Sequence, residues 1–467
     1  MHSYKNIKRY GGIIKLMRKN VKVIIILVII VVLGISGFYG FIYNSTNKWS
    51  SLVYPGVKID DVDISGKTLL EAKAMVTKEY SSAILKKNIS IKTPLKTYSL
   101  NYKKINARYN VDSVIDEAFG YGKNLTLFKK YKLIKKPVNK VLNMKFTYDA
   151  KPIDELISNM KKEIDDAPEN GKLSVNSGNF NITSDKTGAK LIDEKLKKEI
   201  LSKLSGDVLA PDILIDAEIK ILSANITKQK LQTVNTKLSS FSSNFSSSSY
   251  GRSTNITLAV KSINGTLLMP GQSFSFNGTV GQRTAAKGYQ PAPVDIGTKV
   301  GSDYGGGICQ VSTSLYNSII RSNIKSTERN HHSIPSTYIP LGMDATVDWG
   351  NLDYKFTNTL EFPVYIESFV SNKTLTFNIY SNSSLTNKSY NLVNEVYDSV
   401  QPGPTKYIDD PSLPVGSIVQ DQFPLVGYNV RTFKNTIQNG KVISHELLTT
   451  DHYQVKAEVI RIGTKKS

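Results

Sequence analysis

Residues 23–43, VIIILVIIVVLGISGFYGFIY, run without a single charge. That is about the ~20 apolar residues a helix needs to cross the hydrocarbon core of a bilayer, and more than the roughly 7–15 of a cleavable leader's apolar region. Gly34, Ser36, Gly37 and Gly40 are small enough to neighbour a cleavage site, but no A-x-A pattern accompanies them. The flank before the run carries Lys5, Lys8, Arg9, Lys15, Arg18, Lys19 and Lys22 and no acidic residue. Such an asymmetry holds the N-terminus in the cytoplasm. The expectation is therefore a single-pass anchor over 23–43, a basic cytoplasmic tail over 1–22, and an extracytoplasmic remainder at the cell surface.

An exported chain commonly uses disulfides, yet Cys309 is the only cysteine in 467 residues. With 40% hydrophobic composition the exported part can build ordinary cores without crosslinks. The lone thiol is then either a small buried hydrophobe or a reactive group. Net charge is +21, and setting aside the seven N-terminal cations leaves +14 for the rest. The most basic stretch, residues 118–148, holds Lys123, Lys129, Lys130, Lys132, Lys135, Lys136, Lys140 and Lys145 with no acid. Nucleic acid is excluded as a partner by the expected location, so anionic wall polymers are the fitting counterpart, with a merely solvated basic surface as the alternative.

Residues 53–224 read as two copies of a small α+β unit. SGKTLLEAK (Ser65 to Lys73) and TGAKLIDEK (Thr187 to Lys195) repeat a Gly-led helix start. Between them Ile153, Leu156, Ile157, Met160 and Ile164 fall at helical spacing behind Pro152. The serine-rich run SSFSSNFSSSSYGRS, residues 239–253, has the composition of a flexible linker, and the prolines of QPGPTKYIDDPSLP, residues 401–414, suggest a boundary. In the tail, Asn439-Gly440 between alternating runs predicts a hairpin and hence a small all-β module over 390–467. The fold class expected is α+β and multidomain.

Three glycines precede Cys309 in GGGICQVSTSLYN, and Val311, Leu315 and Ile319 then recur every four positions. Cys309 thus sits where a glycine loop enters a helix, a place whose unpaired N–H groups favour a thiolate. Those N–H groups could also hold an oxyanion. Two of the five histidines, His331 and His332, follow in ERNHHSIPSTYIP. Neighbours on an extended segment face opposite ways, so at most one faces the thiol. Asp344, or else Asp348 or Glu328, is available to orient it, as is a backbone carbonyl. Neither metal-ligand spacing nor a G-x-S-x-G elbow is present. No cofactor is expected.

Residues 236–385 closely resemble the VanW domain of Gram-positive bacteria. The likeness runs through GRSTNITLAVKSINGTLLMPGQSFSFNGTVGQRTAAKGY, GGGICQVSTSLYN and ERNHHSIPSTYIPLGMDATVDWGNLDYKF, in that order. Residues 53–224 are similar to the peptidoglycan-binding domain that often precedes it, and 390–467 to a G5 module. This resemblance implies work on peptidoglycan stem peptides: some clostridial members are L,D-transpeptidases, and the family is associated with glycopeptide resistance. It places the nucleophile at Cys309, the base at His332 and a supporting carboxylate at Asp344. Substrate or oxyanion contacts would fall to Gly306, Gly307, Gln310, Ser312, Arg329 and Ser333. Met343 stands where many members carry arginine. Two other readings stay open: a cell-wall thiol peptidase, and a non-catalytic wall-binding adaptor with Cys309 buried.

Overall fold

The computed structural model describes residues 3–176, 178–296 and 299–465. The protein is α+β and multidomain, and it divides into two compact units, Met1–Ala167 with Gly188–Leu222, and Pro168–Thr187 with Ser223–Ser467.

The first unit opens on helix α1 (Ser3–Asn47), whose stretch Lys15–Asn47 is long and apolar enough to cross a membrane. Small sheets and amphipathic helices follow. Helix Lys151–Ile164 buries Ile153, Ile157, Met160 and Ile164, the face its spacing predicts, against Ile89, Ile91, Leu196 and Ile200. The first repeated segment starts a helix, but in the second Gly188–Leu191 is a strand and the helix begins only at Asp193, so the repeat is not one of structure. The first helix, Leu69–Val76, carries a capping box between Thr68 and Glu71; the second, Asp193–Lys203, has no side-chain cap. In the basic stretch, helix Leu127–Lys135 buries none of its residues, and its Phe128 and Tyr131 meet Tyr39 and Phe41 of α1 at ring-centroid distances of 5.1 and 6.3 Å.

The second unit is organised around an antiparallel sheet of β1 (Thr236–Asn244), β2 (Thr266–Leu268), β3 (Val364–Ser371) and β4 (Thr374–Ser381), in the order β1-β4-β3-β2. Helices α2 (Tyr250–Ile263) and α3 (Ile308–Ile320) share one hydrophobic core with it, built on Ile256, Val260, Val311, Leu315, Ile319, Ile366, Phe377 and Ile379. The serine-rich run is no linker. Residues 236–244 pair along their length with β4, and Ser249 caps α2 by accepting from the Arg252 N–H. Inward-facing Ser239 donates to the Ser318 carbonyl at 2.7 Å, and Ser243 meets the Ser314 hydroxyl at 2.9 Å. A serine is small enough to let α3 lie close to the sheet, and its hydroxyl satisfies a buried polar neighbour. Composition alone reports the polarity of such a strand and not its alternation.

The C-terminal region is all β. Strands β5 (Ser389–Val400), β6 (Gly427–Gln438) and β7 (Lys441–Tyr453) form one antiparallel sheet, with the β6–β7 turn made by Asn439 and Gly440 at φ +51° and +72°. The proline-bearing segment expected as a boundary instead contributes a strand, Lys406–Pro414, to a second sheet in which Val459–Lys465 lies between it and Ile418–Gln422. Its Pro411 and Pro414 fall where the pairing register slips, so the missing N–H groups do not interrupt a regular ladder.

Candidate active site

Helix α3 begins from Gly307, whose φ of +95° is closed to L side chains without strain. A Cβ there would also lie 2.9 Å from Ile256, and one on Gly306 would lie 2.6 Å from the Ala292 Cβ. The two glycines let the loop press against α2 and the 292–296 strand, which fixes the height at which the helix starts. Every residue of α3 is buried except Cys309, which is partly exposed. The Ile308 and Gln310 N–H groups close turns onto the Gly305 and Gly307 carbonyls, and the Cys309 N–H has no acceptor among the described residues.

His332 faces the thiol. Its Nδ1 and its backbone N–H both reach Asp344 Oδ2 at 2.6 Å, leaving Nε2 for Cys309 and for the Tyr338 hydroxyl at 3.3 Å. His331 turns the other way, its Nδ1 on the His332 carbonyl and its ring 5.4 Å from that of Tyr453. Asp344 is buried, and its second oxygen accepts from Tyr453 at 2.5 Å and from Arg329 at 3.3 Å. The orienting group is therefore a carboxylate and not a backbone carbonyl.

The electrostatics follow from that chain. Burial opposes charge on Asp344, but His332, Arg329 and Tyr453 outweigh it and hold the carboxyl at about 2. Burial also pulls His332 down, and Asp344 and Cys309 outweigh it, raising the imidazole to about 9. On Cys309, burial pushes up while hydrogen bonding and charge from His332, with Arg283 behind, bring the thiol below its ordinary range. Both shifts run toward a thiolate paired with an imidazolium.

A stability consequence follows with its sign. The Asp344 contribution is full above ~3.9, its unfolded value, and is lost as pH falls from there toward about 2; the His332 contribution is full below ~6.5 and is lost as pH rises through about 9. The thermal midpoint of the wild type should drop at both ends of that window, and Asp344→Asn should flatten the acid limb. Acid melting that is identical in the two proteins would contradict the assignment.

Several expected contacts lie elsewhere. Gln310 is buried with its amide committed to Ser243, to the Asn244 carbonyl and to Arg252. Ser312, also buried, donates to the Ala345 carbonyl at 2.6 Å. The Arg329 side chain is buried too: it grips both Asp451 oxygens at 2.6 and 2.7 Å and donates to the Asp344 carbonyl at 2.6 Å. All of these hydrogen bonds run into the protein. Met343 belongs to the core and its carbonyl accepts from Asn317 at 2.7 Å. Ser333 is exposed, and Gly306 and Gly307 border the thiol.

Sequence reasoning missed Tyr453 and Asp451, both on β7. The Tyr453 hydroxyl donates to Asp344 and accepts from the Gly342 N–H at 2.7 Å, so the C-terminal sheet holds the carboxylate that orients His332. Tyr453→Phe should cost about 1–3 kcal/mol of stability. It should also raise the pH at which Cys309 becomes alkylatable, as followed by iodoacetamide kinetics; an unshifted profile would leave Tyr453 a packing residue only.

Residues 251–380 match the family model "VanW like protein", 98–210 match "Putative peptidoglycan binding domain", and 393–465 match "G5 domain". The chain is 37% identical over 144 residues to protein YoaR of Bacillus subtilis, covering 31% of this chain and 48% of that one. It is 30% identical over 109 residues to the vancomycin B-type resistance protein VanW of Enterococcus faecalis, covering 22% and 40%. Less than half of each relative's length is thus matched. Among solved structures, an IgA1 protease G5 domain (19% identity, 17% of this chain and 94% of that one, TM-score 0.13) and HP0197-G5 (24%, 16% and 95%, TM-score 0.11) are similar to it. The chain carries a VanW domain, a peptidoglycan-binding domain and a G5 domain.

Proposed function

We propose that this VanW-domain chain is a membrane-anchored L,D-transpeptidase of the cell wall, with its bulk outside the cell and Cys309 as nucleophile. The single observation that carries the reading is a buried helix whose one partly exposed residue is a thiol backed by His332 and Asp344. A free thiol that served only packing would require neither the exposure nor the buried acid behind the imidazole.

The Cys309 thiolate attacks the carbonyl between the diaminopimelate and the terminal D-residue of a tetrapeptide stem. The oxyanion that forms lies near the unpaired Cys309 N–H at the helix start. As the C–N bond breaks, the His332 imidazolium gives its proton to the leaving amine, D-alanine departs, and a thioester remains. The side-chain amine of an acceptor stem then attacks the thioester. His332 takes that proton, the C–S bond breaks, and a 3-3 cross-link is released with the thiolate restored. Water in place of the amine makes the same site an L,D-carboxypeptidase. The peptidoglycan-binding and G5 domains suit retention at the wall, and the stretch Lys15–Asn47 suits an anchor.

Full-length protein in detergent, incubated with defined tetrapeptide muropeptides, should yield dimers that lack one D-alanine, with fragmentation placing the new bond between two diaminopimelates. Unchanged muropeptides, from folded protein that still binds sacculi, would replace this reading by that of a wall-binding adaptor, which the peptidoglycan-binding and G5 matches alone would also fit.

A further inference from the structure

Arg283 follows the short helix Phe276–Val280, and both of its terminal nitrogens are shielded from solvent with no hydrogen-bond partner among the described residues. A cation in that position is costly: buried donors are almost always paired, and an unpaired buried charge is worse than an unpaired amide. Part of the cost is offset by two aromatic rings, since the guanidinium carbon lies 5.6 Å from the centroid of Phe276 and 5.9 Å from that of Trp349. Rings leave the N–H donors unanswered, because a π face attracts the charge without accepting along the edge of the fork.

The nearby carboxylates do not answer them either. Asp353 accepts from Ser275 at 2.6 Å and from the Asn277 and Tyr354 N–H groups at 2.8 Å. Asp348 accepts from the Asn351 amide at 2.7 Å. Both act on Arg283 through space, as do Tyr289 and Cys309, and neither bonds to it.

One short segment links this guanidinium to the nucleophile. The Val347 carbonyl lies 3.4 Å from the Cys309 sulfur, and two residues on, Trp349 stands against Arg283 with 45% of its surface exposed. The thiol and the unanswered fork thus flank one short segment, and Trp349, partly exposed, is one of the two rings set against the fork.

We propose that Arg283 is a carboxylate-binding residue beside the thiol, and that it takes the C-terminal carboxylate of the donor peptide, one residue beyond the carbonyl that Cys309 attacks. The identity of that peptide rests on the transpeptidase reading; the carboxylate preference does not. A planar fork with two free edges fits a carboxylate bidentately, and a single residue, about 3.8 Å along the chain, separates the attacked carbonyl from the group to be gripped. Arg283 then selects stems that end in a free carboxylate over amidated or extended ones.

Two probes that alkylate the same sulfur, iodoacetate and iodoacetamide, test this without any turnover. Each forms an S–C bond and expels iodide, so the ratio of their rates cancels the thiolate fraction and leaves the effect of the probe's carboxylate. In the full-length wild type, the iodoacetate-to-iodoacetamide ratio should exceed that of a free thiol, and Arg283→Gln should lower it by about tenfold or more. Arg283→Lys, which keeps the charge but not the fork, should fall between them and guards against a variant that fails to fold. A ratio unmoved by either substitution overturns the proposal, even if cross-linking is observed. Tetrapeptide stems ending in carboxylate or carboxamide complete the test. Acylation of Cys309 by both at equal rates refutes Arg283 selection while sparing the transpeptidase. A ratio that responds to Arg283 with no acylation by either stem sinks the transpeptidase reading and keeps the carboxylate site.

Discussion

Cys309→Ala should abolish 3-3 dimer formation, by about a thousandfold or more, with the far-ultraviolet spectrum and sacculus binding unchanged. The loss is expected to be nearly complete because no other side chain at the head of α3 can take over. Ser312 is buried on the Ala345 carbonyl, and the remaining residues of the helix are buried as well. The fold should tolerate the change, since alanine removes one polarizable atom from a partly exposed position and creates no closed cavity. Cys309→Ser is the sharper comparison. A hydroxyl fits the same space and can bond to His332, but it does not ionise there, so activity that survives in the serine variant would argue against a thiolate mechanism. Mass spectrometry of the muropeptides supplies the readout for both.

His332→Gln should cost nearly as much, and for a different reason. Glutamine can still bond to Asp344, but it cannot carry the proton that balances the thiolate. With the imidazolium gone, burial is left as the largest influence on Cys309, and the thiol should titrate at or above its ordinary ~8.5. At pH 6 a thiol in that range is ionised to less than about one part in a hundred, so the variant should alkylate more slowly than the wild type, whose thiol is held lower. The wild type should alkylate at lower pH than an ordinary thiol. Its cross-linking rate should hold up to about pH 9 and fall above, where His332 loses the proton it must donate. Superimposable alkylation profiles for wild type and His332→Gln would show that the histidine does not act on the thiol.

How much of this was legible in the sequence depended on how far apart the partners lie. The glycine loop, the helix behind it and the position of Cys309 at their junction are local, and three glycines followed by a four-residue apolar period specify them. Alternation along an extended segment predicts that the two adjacent histidines part, and they do: His332 turns onto Asp344 and His331 against Tyr453. The β6–β7 turn was equally local, because Asn-Gly leaves few other options. Family resemblance was a poorer guide to which way a side chain points. Gln310, Ser312 and Arg329 belong to the motif strings, yet their hydrogen bonds run inward. Arg283, Asp451 and Tyr453 escaped notice because no local period marks them, and sheet pairing and loop docking bring them to the site. The serine-rich strand looks like a linker from composition because its inward hydroxyls are matched to α3, a partner some 70 to 80 positions away.

Strand β7 carries a final consequence. The carboxylate behind His332 is held by Tyr453 directly and by Asp451 through Arg329, all within the second unit. A ribosome must pass residue 453 before those groups exist, long after Cys309 has emerged. A nascent chain, or one clipped between the VanW and G5 regions, has Asp344 short of a donor and Arg329 short of its bidentate partner. Its thiol is correspondingly closer to an inert one. The hydrogen-bonded support behind His332 is thus complete only once synthesis has passed residue 453.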